Sequence, residues 1–592
     1  MSVNSYKDDE QIQSAGKLKT LGRLFSYLLS YKLYIFVVLI IMAFCVAVSL
    51  LNPLFIETAI DRYIAASNMP GLLKLIAIAL VLNLLMILGM KIRMFLMAKV
   101  CNSILVTIRQ ELYTHIQTLD FQFFDSRPTG KILARIIGDI NSLKDVLGNF
   151  VTTLIPDFIT VVAVAAIMIV KNPTLALASL CSLPFMAISM WLIQTYSHKR
   201  WQIFRKKSSN LNAFVHEDMS GIRIIQSFTA EDETKETFSG LVEEHRKAFV
   251  SAVRINDSLG SAIDFCWGFG MAALYFVGIY ILGAENVSVG TFIAFGTYIG
   301  MFWNPIMNLS NFYNQIITNL AAAERVFEIM DTEAEISDTK NVVEMPPIRG
   351  HVTFEHVTFS YDDSINVLED VSFDIKPGET IALVGPTGAG KTTIVNLISR
   401  FYDVQKGKVC IDGYDVKKVS IESLRSQMGI MTQDNFLFSG TIKDNIRYGK
   451  LDATDEEIIA AAKAVHAHDF IMQLEKGYDT VLSERGGGLS IGQKQLLAFA
   501  RTMVSNPGIL ILDEATSSID TNTELLVQDG IEALLKGRTS FVIAHRLSTI
   551  QKADRIFVVD DGGIKEEGTV DELLAMKGAY YRLHMAQMVL PN

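Results

Sequence analysis

Six long apolar segments in the first 330 residues restrict this part of the chain to one kind of architecture. They lie near residues 34–56, 72–92, 150–170, 174–194, 262–283 and 289–311. A helix needs about 20 mostly apolar residues to cross the hydrocarbon layer of a bilayer, and stretches such as 34–51 and 161–170 contain no charged side chain. The sequence therefore predicts an α-helical membrane domain with six transmembrane helices.

Basic residues predict which ends of these helices face the cytoplasm. The connection 99–149 contains six lysines and arginines and the connection 195–260 contains ten, whereas the three short connections on the other side contain two in total. Cytoplasmic loops are enriched in Lys and Arg, so both long connections and both termini are predicted to be cytoplasmic. Their helical patterns also predict long cytoplasmic extensions beyond the cell (plasma or inner) membrane.

From about residue 351 the pattern changes to that of a soluble α/β domain. Apolar runs with glycine turns between them predict β-strands at 351–354, 371–375, 380–384 and 409–411. The chain of 592 residues has a net charge of −10. A general basic field is therefore lacking, and no nucleic-acid partner is expected.

The segment 385–393 reads Gly-Pro-Thr-Gly-Ala-Gly-Lys-Thr-Thr and stands between a predicted strand and a helical pattern at 394–400. This is the order of a P-loop, in which glycines turn backbone N–H groups toward phosphates and the next helix presents its N-terminus to them. Lys391 is expected to neutralise the β- and γ-phosphates, and the hydroxyl of Thr392 is expected to hold Mg²⁺. The chain is therefore predicted to bind a nucleoside triphosphate.

A continuous apolar run at 509–512 ends in the two carboxylates Asp513 and Glu514. Such a run is typical of a fully buried strand in a parallel sheet. At its end, Asp513 can position Mg²⁺ through water, and Glu514 can orient or deprotonate an attacking water. Because a P-loop precedes it in the same domain, this pattern predicts a nucleotide-hydrolysing site.

Further motifs accompany the P-loop in a fixed order. Tyr361 precedes it, Gln433 lies in Met-Thr-Gln-Asp-Asn-Phe, and residues 489–493 read Leu-Ser-Ile-Gly-Gln. Ser-Ile-Asp520 follows the paired carboxylates, and His545 lies in Ile-Ala-His-Arg. With these motifs at this spacing, residues 350–592 resemble an ABC transporter nucleotide-binding domain.

The resemblance implies ATP and Mg²⁺ as cofactors and a role for each matched residue. Tyr361 would stack on adenine, and Gln433 would sense Mg²⁺ and the membrane domain. Catalytic roles are implied for Lys391, Glu514 and His545, and metal contacts for Thr392, Gln433 and Asp513. The implied nucleotide contacts are Tyr361, Gly385, Pro386, Thr387, Gly388, Ala389, Gly390, Lys391, Thr392, Thr393, Gln433, Ser490, Gly492, Gln493 and Asp520.

The first 330 residues resemble the six-span exporter type of the same family. This implies a transmembrane domain at 1–330, a linker at 331–349 and an α/β P-loop ATPase domain of ABC type at 350–592. Two motifs in the long connections, at 123–130 and 217–228, then look like the coupling helices that dock on ATPase domains. Taken alone, ordinary loop packing would explain these two motifs equally well.

One P-loop and six spans make half of such a transporter, because the family places each ATP between one P-loop and the signature motif of a facing domain. Here the signature departs from the usual pattern: Ile491 replaces the expected middle glycine, and Leu496 occupies the place of a common arginine. The sequence resembles the signature of catalytically competent subunits in heterodimeric bacterial exporters. A heterodimer with a second ABC half-transporter is favoured, and a homodimer stays open because one substituted glycine need not disable a site.

A stripe of amide side chains marks the sixth predicted span. Asn304, Asn308, Asn311, Gln315 and Asn319 recur at intervals of three or four residues and so share one helical face. Amides at membrane depth usually face a bundle interior or a wet cavity. The stripe is therefore predicted to line an aqueous pathway; the alternative is that its lower members already lie in the cytosol.

The family resemblance implies ATP-driven export of amphipathic or lipophilic compounds, of multidrug or lipid type, by alternating access. The expected partners are a second half-transporter, the lipid bilayer and a lipophilic small-molecule substrate. An ATP-gated or regulatory subunit without pumping is the alternative from another class, and the intact Glu514 and His545 favour hydrolysis over it. Export of peptides is a further alternative.

Overall fold

The chain forms two compact units. A computed structural model describes residues 17–283, 285–338, 342–362, 365–432, 435–513, 521–544 and 550–589. The first unit contains the described residues up to Gln117 together with Thr129–Thr332. The second contains Thr118–Pro128 and the described residues from Glu333 onward.

Long helices make up almost all of the first unit, as its apolar composition predicts. The α-helices are Lys17–Leu29, Lys32–Thr58, Met69–Ile116, Thr129–Ala134, Ile140–Asn149, Ile155–Lys171, Pro173–Leu180, Ser182–Ser220, Ile222–Ser227, Glu231–Phe276 and Val289–Asp331. Short π-helical stretches continue several of them, at Ala59–Ile64, Arg135–Asp139, Phe150–Leu154 and Val277–Ile281.

Within the described residues, five helical segments are long and apolar enough to cross a membrane. They are Lys32–Ile64, Met69–Ile116, Thr129–Lys171, Pro173–Ser220 and Glu231–Ile281. None of the residues in the most apolar stretch of Met69–Ile116 is buried inside the unit. Exposed apolar surface of this extent is unfavourable in water and fits contact with the hydrocarbon layer of a membrane.

The sixth predicted span lies on the helix Val289–Asp331, which is not among these five. Glycines and Asn304 reduce its mean hydropathy, and Pro305 interrupts its backbone hydrogen bonding. Its first turn is held from outside the helix, because Asp61 accepts the N–H of Gly290 at 2.9 Å. The count of six spans is therefore approximate.

Three polar pairs connect the helix Val289–Asp331 to the segment 129–171. Asp139 accepts two hydrogen bonds from the Arg325 guanidinium, at 2.7 and 2.8 Å. Asn149 donates to Gln315 at 3.0 Å, and Asn308 donates to Asp157 at 3.0 Å. Residue numbers rise along one segment as they fall along the other, so the two run antiparallel. We call these pairs the polar ladder.

The polar ladder changes the interpretation of the amide stripe. Two of its five members, Asn308 and Gln315, hydrogen-bond to a neighbouring helix. Asn304 and Asn311 are exposed in the single chain. The stripe therefore serves helix packing at two positions, and a role in lining an aqueous pathway stays a prediction for the others.

The second unit is an α/β domain built on a six-stranded sheet. The strands are β1 Val352–Phe359, β2 Leu368–Ile375, β3 Thr380–Val384, β4 Lys406–Ile411, β5 Tyr414–Asp415, β6 Met428–Met431, β7 Gly440–Thr441, β8 Val481–Leu482, β9 Ile509–Asp513, β10 Thr539–Ile543, β11 Arg555–Asp560 and β12 Gly563–Gly568. The six-stranded sheet has the order β12-β11-β3-β10-β9-β6 and is parallel except for β12. A four-stranded antiparallel sheet has the order β2-β1-β4-β5, and β7 pairs with β8.

The central strands divide the core of this unit between two faces. In β3, Ile381 and Leu383 pack with the cluster that includes the antiparallel sheet. Ala382 and Val384 pack on the opposite face, against helices such as Ile491–Ser505. Residues 509–512 are buried in β9, which pairs in parallel with β6 and β10, and this confirms the prediction of a fully buried parallel strand there. All five residues of β3 and of β10 are buried as well.

Helices surround these sheets. The described α-helices of the second unit are Phe121–Asp125, Lys391–Ile398, Ile421–Arg425, Ile442–Arg447, Asp455–Ala464, His468–Gln473, Ile491–Ser505, Thr521–Leu535, Val570–Met576 and Ala579–Val589. Because β3, β9 and β10 are parallel, their carboxyl ends lie at one edge of the sheet. That edge carries the P-loop after β3 and Asp513 at the end of β9.

Candidate nucleotide site

The P-loop adopts a backbone conformation that requires glycine. Gly385, Gly388 and Gly390 have φ angles of 147°, 86° and 103°. A Cβ on Gly385 would lie 2.0 Å from the carbonyl oxygen of Val559, so this position also lacks space for a side chain. The helix Lys391–Ile398 begins directly after Gly390. Such a glycine-lined loop at a helix N-terminus fits the phosphates of a nucleotide.

Lys391 is held inside this loop. Its Nζ donates to the carbonyl oxygens of Gly385 and Pro386 at 2.9 and 2.7 Å. Burial lowers the pKa of the Lys391 ammonium, and the Asp513 carboxylate opposes this shift. The structure thus brings the P-loop lysine and the acidic end of β9 into electrostatic contact, as the two motifs predict when they belong to one site.

Two neighbouring threonines follow the lysine in different environments. Thr392 is exposed, so its hydroxyl is accessible to a ligand at the helix N-terminus. Thr393 is buried, and its hydroxyl hydrogen-bonds to the Tyr361 hydroxyl at 3.0 Å. Thr392 and Asp513 supply oxygen donors, which is the donor type that Mg²⁺ prefers. These residues fit the metal contacts implied by the family.

The signature motif forms the start of the helix Ile491–Ser505. The hydroxyl of Ser490 accepts the N–H of Gln493 at 3.2 Å, while the Gln493 side chain accepts the N–H of Ser490 at 2.9 Å. This capping box fixes the helix N-terminus. The side chain of Ile491 is 54% exposed there, whereas Leu496 is buried in the core. Any surface that meets this end of the helix therefore meets an isoleucine side chain.

Four predicted site residues lie outside the described residues. These are Gln433, Glu514, Asp520 and His545. Glu514 directly follows Asp513 in the sequence. His545 directly follows Ala544, whose N–H donates to the carbonyl oxygen of Leu383 in β3, the strand that precedes the P-loop. The other predicted residues are Tyr361, the P-loop residues, Asp513 at the end of β9 and the residues of the signature motif. Their roles in catalysis and binding stay predictions.

One residue outside the predicted motifs, Tyr402, packs against the predicted adenine contact Tyr361. Tyr361 packs edge-on against Tyr402, with ring centroids 4.9 Å apart. Tyr402 in turn hydrogen-bonds to Asp125, which belongs to the first of the two predicted docking motifs. Reasoning from sequence missed Tyr402. The one sequence feature that could have indicated a role for it is the aromatic pair Phe401-Tyr402 shortly after the P-loop helix.

Comparisons with known proteins identify the family. Residues 35–306 match the ABC transporter transmembrane region, and residues 368–517 match the ABC transporter family. The chain belongs to the ABC transporters, with a membrane region and an ATP-binding domain in one polypeptide. Its ATPase domain couples ATP hydrolysis to transmembrane transport.

Individual relatives cover almost the whole chain. It is 41% identical over 584 residues to an uncharacterized ABC transporter ATP-binding protein, YknV, of Bacillus subtilis, covering 98% of this chain and 97% of the relative. It is 40% identical over 495 residues to an ATP-dependent lipid A-core flippase of Syntrophus aciditrophicus, covering 83% and 82%. A solved bacterial Atm1-family ABC exporter with ATP bound matches with a TM-score of 0.75 and 29% identity, covering 94% of this chain and 98% of that one. The fold is that of an Atm1-type exporter.

Proposed function

We propose that this ABC exporter moves amphipathic or lipophilic compounds, with lipids as the first class to test, across the cell membrane by alternating access. The proposal rests on the presence of a nucleotide site and a membrane domain in one polypeptide. A P-loop whose Lys391 interacts electrostatically with Asp513 is joined to five helical segments of membrane-spanning length. The similarity to a lipid A-core flippase supports a lipid-like substrate.

Each site residue has a proposed task in this cycle. The P-loop N–H groups and Lys391 bind the phosphates, and Thr392 with Asp513 holds Mg²⁺. Glu514 orients or deprotonates the attacking water, and His545 stabilises the γ-phosphate region. Bound ATP drives closure of two ATPase domains because it binds the closed pair more tightly than the open one.

The working unit is proposed to be a dimer. The helix Ile222–Ser227, within the second predicted docking motif, exposes 64% of Ile224, and Phe228 next to it is 80% exposed. A cavity of about 410 Å³ adjoins Ile224 and is also lined by Phe214, Glu217 and Ile225. Exposed apolar side chains beside a cavity are typical of an interaction site, which suits docking on the ATPase domain of a partner subunit.

We favour a heterodimer, in which the competent ATP site combines this P-loop and Glu514 with the partner's signature. The exposed Ile491 at the start of the signature helix supports this reading, because a β-branched side chain stands where the family places a glycine near phosphate. Purification of the chain alone tests the arrangement. Robust, substrate-stimulated ATPase activity of a homodimer would remove the heterodimer proposal.

Transport itself is tested in proteoliposomes with two probes, nitrobenzoxadiazole-labelled phosphatidylethanolamine and the lipophilic dye Hoechst 33342. The unmodified complex is expected to move at least one probe in an ATP-dependent manner. Lys391→Ala should abolish this transport, and Lys408→Ala, which alters an exposed ion pair with Glu355, should not. Uphill transport by Lys391→Ala at the normal rate, with a competent partner excluded as its source, would refute the proposal.

A further inference from the structure

One face of the long helix Ser182–Ser220 is largely exposed in the described part of the chain. The opposite face packs on the helix Glu231–Phe276, for example through Phe204, whose ring centroid lies 5.4 Å from that of Phe249. The exposed residues recur at intervals of three and four, so they form one stripe along the helix. We call it the outer stripe, and its members are Phe185, Ile188, Leu192, Tyr196, Lys199 and Ile203.

The chemistry of the outer stripe changes where the predicted span at 174–194 ends. Its three members within the span are apolar and are between 43% and 60% exposed. Tyr196 comes next and is exposed, followed by Lys199 with Arg200 beside it, both exposed as well. Apolar side chains suit hydrocarbon, tyrosine suits the membrane–water interface, and Lys and Arg suit anionic head groups. The order along the stripe therefore matches a phospholipid, from acyl chain to head group.

Lys199 and Arg200 lie at the depth of lipid phosphates. They stand five and six residues beyond position 194, which corresponds to about 7.5 and 9 Å along a helix. The head-group layer extends roughly 5 to 8 Å beyond the hydrocarbon on each side. By the predicted orientation the helix enters the cytoplasm here, and helical side chains tilt toward the helix N-terminus. Both cations therefore lean back toward the membrane surface.

Nearby acids do not compensate these two cations. Neither cation forms a hydrogen bond or an ion pair with the residues that the structure describes, and positions 182–216 contain no acidic residue. Further along the helix, Lys207 does have a partner, Glu244, at 2.6 Å. By the same antiparallel pairing, the exposed Arg254 lies at the level of the two cations, and Asp257 is the nearest acid in sequence on that helix. Three cations thus stand against one carboxylate, which leaves an excess of positive charge.

We propose that the outer stripe binds an anionic phospholipid of the cytoplasmic leaflet, with its phosphate at Lys199 and Arg200 and an acyl chain along Leu192. The inference goes beyond the proposed function, because this lipid is a resident ligand and not the transported compound. Its binding therefore needs neither ATP nor a competent P-loop. A free phosphate would use the cations alone, whereas a lipid also covers the apolar part of the stripe.

Native mass spectrometry of the full-length protein in detergent tests the proposal, because it resolves the binding of single lipid molecules. The probes are dioleoylphosphatidylglycerol, which is anionic, and dioleoylphosphatidylcholine, which has the same chains and no net charge. Each Lys or Arg near an anionic surface contributes roughly fivefold in affinity. The unmodified protein should therefore bind its first phosphatidylglycerol at least about fivefold more tightly than phosphatidylcholine. In Lys199→Gln combined with Arg200→Gln, this preference should fall below about twofold.

Arg205→Gln combined with Lys206→Gln is the matched control, because it removes the same charge from the same helix. These positions lie 11 and 12 residues beyond position 194, more than about 16 Å along the helix. At 0.15 M salt, exposed charges are screened over about 8 Å. The control should therefore keep the full preference. Lys391→Ala should keep it as well, because the resident lipid does not depend on nucleotide.

Several results would overturn the proposal. One is an unchanged preference in the Lys199→Gln/Arg200→Gln variant, and another is an equal loss in the control, which would indicate general attraction to the basic region. Loss of the preference in Lys391→Ala would identify the lipid as cargo. A lower dimer fraction or thermal midpoint in the first variant would assign the outer stripe to a partner subunit or to packing.

A last arm separates lipid from free phosphate. Glycerol 3-phosphate has the head-group phosphate without acyl chains, so it should not compete with phosphatidylglycerol at an equal concentration. Competition at that concentration would overturn the lipid assignment. Failure of the protein to transport any compound would refute the proposed function and leave this binding unchanged, so the two failures are distinguishable.

Discussion

At the scale of single residues, the P-loop depends on a close approach between two backbone segments. Gly385 has a φ angle of 147°, and an added Cβ would lie 2.0 Å from the carbonyl oxygen of Val559. Strand β11, which carries Val559, is the parallel neighbour of β3. Any side chain at Gly385 would therefore force apart two central strands or distort the loop.

Gly385→Ala is expected to abolish nucleotide binding and to lower the thermal unfolding midpoint. The control is Gly378→Ala, because Gly378 also has a positive φ, 80°, but has open space where a Cβ would lie. It should cost only about 1 kcal/mol from backbone strain. Binding of a fluorescent ATP analogue and thermal unfolding of the detergent-solubilised protein measure both effects. Equal nucleotide binding and equal unfolding midpoints in the two variants would show that the close approach of Val559 to Gly385 does not matter.

Motif residues could be predicted from sequence, but their neighbours could not. The glycines of the P-loop, Lys391 and Asp513 were found because nucleotide chemistry demands those residue types in that order. The contact between Tyr402 and Asp125 joins residues 277 positions apart, and no pattern of residue spacing in the sequence predicts that they meet. Only the packing of the folded chain brings such residues together.

At the scale of elements, the polar ladder fixes how the segment 129–171 packs on the helix Val289–Asp331. Its Asp139–Arg325 pair is the strongest member, because two hydrogen bonds join a carboxylate and a guanidinium that are only 15% and 26% exposed. Arg135 donates to the same carboxylate at 3.0 Å. Two arginines thus share one anion within the helical unit.

Asp139→Ala should destabilise the helical unit by about 3 kcal/mol, since it removes a partly buried carboxylate that accepts charge-assisted hydrogen bonds from both Arg135 and Arg325. The thermal midpoint in detergent should fall accordingly. Glu243→Ala is the control, because its ion pairs with Arg246 and Lys247 are exposed and its loss should change the midpoint little. Similar midpoints for both variants would show that the Asp139 cluster does not hold the helices together.

The ladder also shows why the sixth span was only partly predictable. A periodicity of three and four places five amides on one helical face, but it does not reveal which of them meet a partner. Asn308 and Gln315 do so because Asp157 and Asn149 stand opposite them on an antiparallel segment. The strands of the ATPase unit were easier to predict, because their buried faces leave continuous apolar runs in the sequence.

At the scale of the whole molecule, the second predicted docking motif presents apolar side chains that a single chain does not cover. Phe228→Asp combined with Ile224→Asp should reduce the dimer fraction in nanodiscs and lower ATPase activity in parallel, because charges there would have to be desolvated at an interface. Leu451→Asp is the control, since Leu451 is 79% exposed and lies outside this motif. Single-molecule photobleaching counts the subunits. An unchanged dimer fraction in the double variant would exclude this surface from the interface.

The unbroken helix Met69–Ile116 contains 48 residues, which corresponds to a rod of about 72 Å. The hydrocarbon layer accounts for only about 30 Å of that length, so roughly 40 Å of the rod projects on one or both sides. A swing of about 10° around a pivot in the bilayer would displace the end of a 40 Å arm by about 7 Å. A small change of angle within the lipid layer would therefore cause a displacement of several ångströms at a projecting end of this helix, and a displacement of that end would in turn change the angle within the lipid.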